Sequence, residues 1–178
     1  DVRLHIPMTH RNDVIRYCEH GSLLSQLRAG GNGGSAAGAG PFSTLEGKLR
    51  AASEVANGMK QLAGASVVHR DLAARNVLVA GSGWTCKVAD FGLSRGFELT
   101  RHGYYRSRQG TVALRWAAPE ALTEQRFSHA SDSWSFGVTL FEIFSDGAQP
   151  YKDWNDARVI LEVCDLSKPY FLPRPPLM

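Results

Sequence analysis

Three side chains near the middle of this sequence could share one reaction. Asp71 lies within His69-Arg70-Asp71-Leu72-Ala73-Ala74-Arg75-Asn76, and Asp90 opens Asp90-Phe91-Gly92. A carboxylate such as Asp71 can accept the proton of an incoming hydroxyl. Asn76, five residues on, offers an amide oxygen, and Asp90, fourteen further, a second carboxylate. Both are hard oxygen donors of the kind Mg2+ prefers, with Mn2+ as the alternative ion. Such a set suits phosphoryl transfer from ATP. That reaction asks a protein for metal ions against the phosphates, an oriented acceptor hydroxyl and positive charge where negative charge develops. Taken singly, either Asp also reads as half of a structural ion pair.

The elements around them must hold these groups at fixed separation. Val67-Val68, Val77-Leu78-Val79 and Lys87-Val88-Ala89 read as short strands flanking the two motifs. Ser43-Thr44-Leu45-Glu46 reads as a capping box opening a helix that Gly64 ends. Its apolar residues Leu45, Leu49, Ala52, Ala56, Met59 and Leu62 predict the buried face. Trp134, Phe136, Val138, Leu140, Phe141, Ile143 and Phe144 surround a second helix over Asp132–Phe144, which predicts a central position. Shorter helices are expected from Ser22 to about Arg28 and from Asp156 to Cys164, with strands near Leu4–Ile6 and Val14–Tyr17. Residues 29–40, nearly all Gly and Ala, read as a flexible loop, and 93–117 as a long irregular one. The fold class is α+β and mainly helical.

Composition narrows the function classes. At 178 residues the chain suits one domain with a real core, and 43% hydrophobic with 21% charged residues is ordinary for a globular protein. A net charge of +3, with acids and bases interspersed, argues against a nucleic-acid partner. Cys18, Cys86 and Cys164 are widely spaced and odd in number, which fits a reducing compartment better than a disulfide framework or zinc site. The most apolar run, Phe136 to Phe144, is short and carries Glu142, so no membrane span and no direct membrane contact are expected. No signal peptide is read at the N-terminus.

The two motifs arrive in a known order, and Ala118-Pro119-Glu120 follows beyond the long loop. With these three signatures the chain resembles the protein kinases, from about Val14 to Pro176. The resemblance implies a kinase-like fold, with 1–21 the end of the N-terminal lobe and hinge and 22–178 the C-terminal lobe. Within that lobe 29–40 would be an insert and 90–120 the activation loop. It implies Asp71 as base, Asn76 and Asp90 as Mg2+ ligands, and Leu78 beneath the adenine ring of ATP. Ile15 to Gly21 resemble the hinge, where the backbone of Arg16 and Cys18 would meet the adenine edge. His69 and Phe91 would stack in a regulatory column, Gly92 would free the backbone after the second motif, and Asp132 would hydrogen-bond the catalytic loop, a helix N-cap being the alternative. Ser133 stands where the family has a branched apolar residue, which predicts looser packing.

Arg75, four residues after the base, and Arg115-Trp116 ahead of Ala-Pro-Glu resemble the tyrosine-specific kinases. Serine/threonine or dual specificity is the alternative acceptor class. The resemblance implies protein or peptide substrates bearing tyrosine, and phosphorylation of Tyr104 or Tyr105, paired by Arg70, as a switch. The rival reading is two exposed aromatics in a loop. Dimerisation for trans-phosphorylation is expected of the parent protein, in the cytoplasm or on the cytoplasmic side of a receptor. The family's Gly-rich loop, strand Lys and helix Glu have no counterpart here, nor has the Arg that would pair a buried Glu120. The N-terminal lobe is thus expected to be largely absent and the isolated chain inactive or weakly active. A noncatalytic interaction module is the rival function.

Overall fold

The computed structural model describes residues 18–31, 40–90, 95–96, 105–106, 113–165 and 167. In chain order the elements are α1 (Leu23–Gly31), α2 (Leu45–Gly64), β1 (Val67–Val68), β2 (Val77–Ala80), β3 (Thr85–Val88), β4 (Arg95–Gly96), β5 (Tyr105–Arg106), α3 (Pro119–Glu124), β6 (Arg126–Phe127), α4 (His129–Phe144) and α5 (Asp156–Val163). Short 3-10 turns occupy Pro41–Ser43, Ala74–Asn76 and Leu114–Trp116. The strands form three antiparallel ribbons: β1 with β4, β2 with β3, and β5 with β6. This is a mainly helical α+β fold. The strands expected at 4–6 and 14–17 lie outside the described residues.

Helix α2 forms where expected, with a different cap and face. Thr44, not Ser43, is the N-cap, and its hydroxyl accepts from the Gly47 N–H at 3.1 Å. The buried residues are Gly47, Lys48, Ala51, Val55, Gly58 and Leu62; of the expected face Leu62 is buried and Ala52 and Met59 pack against the core, whereas Leu45 and Leu49 are 52% and 54% exposed. The face is chosen by size. A Cβ at Gly47 would stand 1.7 Å from the Pro41 carbonyl oxygen, and one at Gly58 2.7 Å from Val88 Cγ2. The turn and β3 therefore approach on the side where residues are smallest. Lys48 tolerates burial because Asp146, past the end of α4, lies 2.8 Å from its ammonium.

Helix α4 starts earlier than expected, at His129. Ser128 caps it, accepting from the Ala130 and Ser131 N–H groups while its own N–H donates to Ser131 Oγ at 2.9 Å. Its buried residues are Ser131, Asp132, Ser135, Val138, Thr139, Glu142 and Ile143, a largely polar stripe. Trp134, Phe136, Leu140 and Phe144 are only partly buried, packed against the two apolar cores. Central position thus comes with hydrogen bonding rather than an apolar surface. Ser133 is exposed and donates to the His129 carbonyl at 2.9 Å, so the expected loosening there has no packing to act on.

Two other expectations change. Helix α1 continues through Ala29, Gly30 and Gly31, residues read as loop, and glycine propensity does not explain the extension. The stretch 93–117 carries β4, β5 and the turn at Leu114–Trp116 rather than irregular chain throughout, and β4 pairs with β1 beside the first motif. No described helix is long and apolar enough to cross a membrane.

Candidate active site

The loop from His69 to Asn76 is pinned by α4. Asp132 accepts from the His69 N–H at 2.8 Å through Oδ2 and from the Arg70 N–H at 3.0 Å through Oδ1. It does so from within the helix, Ser128 being the cap. The two bonds hold Arg70 at φ +74°, a left-handed conformation that costs a residue with a Cβ about 1–2 kcal/mol. Burial lifts the Asp132 carboxyl above its ordinary value of 3.8, against the pull of the Arg70 and His69 N–H donors. His69 is fully buried, and both ring nitrogens face backbone: Nδ1 accepts from the Asp71 N–H at 3.2 Å and Nε2 lies 3.0 Å from the Ala89 carbonyl. One tautomer, with the proton on Nε2, serves both. His69 thereby ties the first motif to the residue before Asp90.

Asp71 sits at the centre of a converging set. Arg75 Nη2 donates to Asp71 Oδ1 at 2.5 Å, and Asn76 Nδ2 donates to Asp71 Oδ2 at 2.8 Å and to its carbonyl at 2.7 Å. Asn76 is buried, and spending its amide nitrogen on Asp71 turns its oxygen away from that residue. The Asn76 carbonyl accepts from the Ala89 N–H at 2.9 Å, which brings the strand end and Asp90 alongside. Asp90 is exposed, at φ +60°. The guanidinium of Arg75 lies over Trp116, 4.6 Å from the ring centroid. The Trp116 indole N–H donates to Glu142 Oε2 at 2.8 Å, and the Ala74 N–H donates to the same oxygen at 2.8 Å. Burial raises the Glu142 carboxyl above its ordinary 4.5 despite these donors.

The family model for protein tyrosine and serine/threonine kinases matches residues 5–177. This chain belongs to the protein kinase family. Ephrin type-A receptor 6 of Homo sapiens and of Mus musculus are each 42% identical to it over 164 residues, 91% of this chain and 14% of the receptor. Ephrin type-A receptor 4-B of Xenopus laevis is 40% identical over the same length, 15% of that receptor. The kinase segment thus spans about one seventh of the length of these relatives.

Other expected site residues of the kinase segment fall in several places. Leu78 is half-buried in β2, opposite Lys87 and bridged to Ser22, and the carbonyl of Cys18 accepts from the Gly21 N–H at 3.1 Å. Arg16, Ile15, Phe91, Gly92 and Tyr104 lie outside the described residues, and Tyr105 is described as the β5 partner of Phe127. The Arg70 guanidinium stands over the Phe127 ring at 4.6 Å. Arg115 donates to the carbonyls of Pro150, Tyr151 and Trp154 at 3.0, 2.7 and 2.9 Å and to Asp156 at 2.7 Å, clamping the segment before Ala118 onto the loop ahead of α5. Glu120, expected to be a buried carboxylate, is half-exposed and keeps solvent contact. The residue that sequence reasoning missed is Glu142. Its signal was an acid inside the most apolar run of the chain.

Proposed function

We propose that this chain is the hinge and most of the C-terminal lobe of a protein tyrosine kinase that transfers the γ-phosphate of ATP to tyrosine hydroxyls of proteins. The observation that carries the reading is the Asp71 carboxylate, held on one oxygen by Arg75 and on the other by Asn76. In the proposed step the tyrosine O–H gives its proton to Asp71 as its oxygen attacks the γ-phosphorus, the bond to the bridging oxygen breaks, and ADP leaves. Arg75 beside the base places positive charge where the phosphoryl oxygens would lie.

The donor set fits a divalent ion. The Asn76 amide oxygen and the exposed Asp90 carboxylate are hard donors, and Mg2+ commonly takes one or two such groups together with substrate phosphates. When bound, Mg2+, or Mn2+ in its place, would neutralise charge on the phosphates. On the same reading, Leu78 and the backbone of Arg16 and Cys18 line the adenine site, and 90–120 is an activation loop in which Tyr104 or Tyr105 is phosphorylated and paired by Arg70. Residues 1–21 are then the hinge side of the N-terminal lobe and 22–178 the C-terminal lobe. The relatives' name as receptors supports a parent with this segment on the cytoplasmic side of a membrane, where dimerisation would allow trans-phosphorylation.

Tyrosine specificity is tested with the full-length protein, labelled ATP and a peptide offered with Tyr, Ser or Phe at one position. Label on the Tyr peptide alone is the expected result. Equal labelling of the Ser peptide would move the protein to the dual-specificity or serine/threonine class.

A further inference from the structure

Glu142 is 1% exposed within an otherwise apolar stretch of α4. A carboxylate is seldom buried so completely without a defined set of partners. Here a single oxygen, Oε2, accepts from two separate segments: the Ala74 backbone N–H and the Trp116 indole N–H, each at 2.8 Å. The same helix holds the other end of Trp116, because Ser135 Oγ donates to the Trp116 carbonyl at 2.8 Å. The indole face carries the Arg75 guanidinium, whose Nη2 donates to Asp71. Glu142 therefore fixes both the backbone just ahead of Arg75 and the ring on which Arg75 rests. An apolar side chain of similar size would supply neither acceptor.

We infer that Glu142 is a positioning residue for phosphoryl transfer, holding Arg75 on Asp71 through the Ala74 amide and the Trp116 ring, an inference that rests on Asp71 being the base. An acid that merely ties two segments together would cost stability independently of Arg75. One that acts through Arg75 loses its effect once Arg75 is gone, and a double-mutant cycle separates the two.

The experiment uses the full-length protein and a tyrosine peptide. Glu142→Ala should lower kcat about 10²-fold, the scale of a misplaced reacting group. Peptide KM should stay within about three-fold, since substrate binding is not what is lost. Glu142→Gln, whose amide oxygen can accept both N–H donors, should recover most of that rate. Arg75→Ala and the Arg75→Ala/Glu142→Ala double variant should have equal kcat. Val55→Ala, a core change in α2, should leave the kcat of wild type and of Arg75→Ala alike unaffected. If Glu142→Ala fails to fold, Trp116→Phe replaces it in the cycle, keeping an aromatic face and removing the indole donor. In 15N-tryptophan-labelled protein the Trp116 indole N–H signal should move in Glu142→Ala and stay near its native position in Glu142→Gln. Additive losses with Arg75→Ala, a Glu142→Gln rate as low as that of Glu142→Ala, or a loss confined to KM would each overturn the inference. An Asp71→Asn protein that still transfers phosphate would overturn the base reading, and the inference with it. An inactive Asp71→Asn protein with an additive cycle would remove the role of Glu142 alone.

Discussion

The two long helices bury opposite kinds of surface. Helix α2 turns Gly47, Ala51, Val55, Gly58 and Leu62 inward beside one charged residue, the paired Lys48, a face whose small residues admit the 41–43 turn and β3. Helix α4 turns Ser131, Asp132, Ser135, Thr139 and Glu142 inward; Asp132 and Glu142 hydrogen-bond the loop that holds Asp71, Glu142 and Ser135 hydrogen-bond Trp116, and Ser131 and Thr139 bond within the helix and its cap. The first helix packs by shape, and the second supports the site by hydrogen bonding. Burial of polar groups on this scale is sustained only when partners are supplied, and for Asp132 and Glu142 they include the backbone amides of the candidate site.

That contrast can be broken by substitutions on each side. Asp132→Ala should have the largest effect, leaving the buried His69 and Arg70 amides without their acceptor. A loss of about 4 kcal/mol is expected in urea denaturation, from two such donors at roughly 1–3 kcal/mol each. Gly47→Ala should follow at about 3 kcal/mol, because the new methyl meets a backbone carbonyl that must shift. A change below about 1 kcal/mol would show that the turn yields freely and that shape does not set the face of α2. Leu49→Ala should be smallest, below about 0.5 kcal/mol, as for other exposed positions. A loss of about 2 kcal/mol or more would restore the face predicted from large apolar residues alone.

The sequence was most informative where chemistry requires particular residue types. Asp71, Asn76 and Asp90 stand in motifs whose spacing can be counted, and the structure gathers the first two into direct contact while the Ala89 bonds bring the third alongside. The flanking strands were legible for the same reason: short β-branched runs beside turn residues. The face of α2 was not, because a periodicity count rewards large apolar residues and ignores where a neighbour needs a small one. The polar stripe of α4 was hidden by the aromatics around it. Ser135 and Glu142 become meaningful only once the chain brings residues 74 and 116 against them. Arg115 shows the same limit, since its four acceptors lie 35 to 41 residues further along the chain.

In the proposed reaction Asp71, held between Arg75 and Asn76, is the base for transfer to tyrosine. Its most direct test is Asp71→Asn in the full-length protein, with transfer from ATP to a tyrosine peptide measured beside a thermal melt. A loss of at least about 10²-fold in kcat, the usual contribution of a positioned base, is expected, with the melting transition little changed. Transfer at the wild-type rate by a folded Asp71→Asn protein would contradict it.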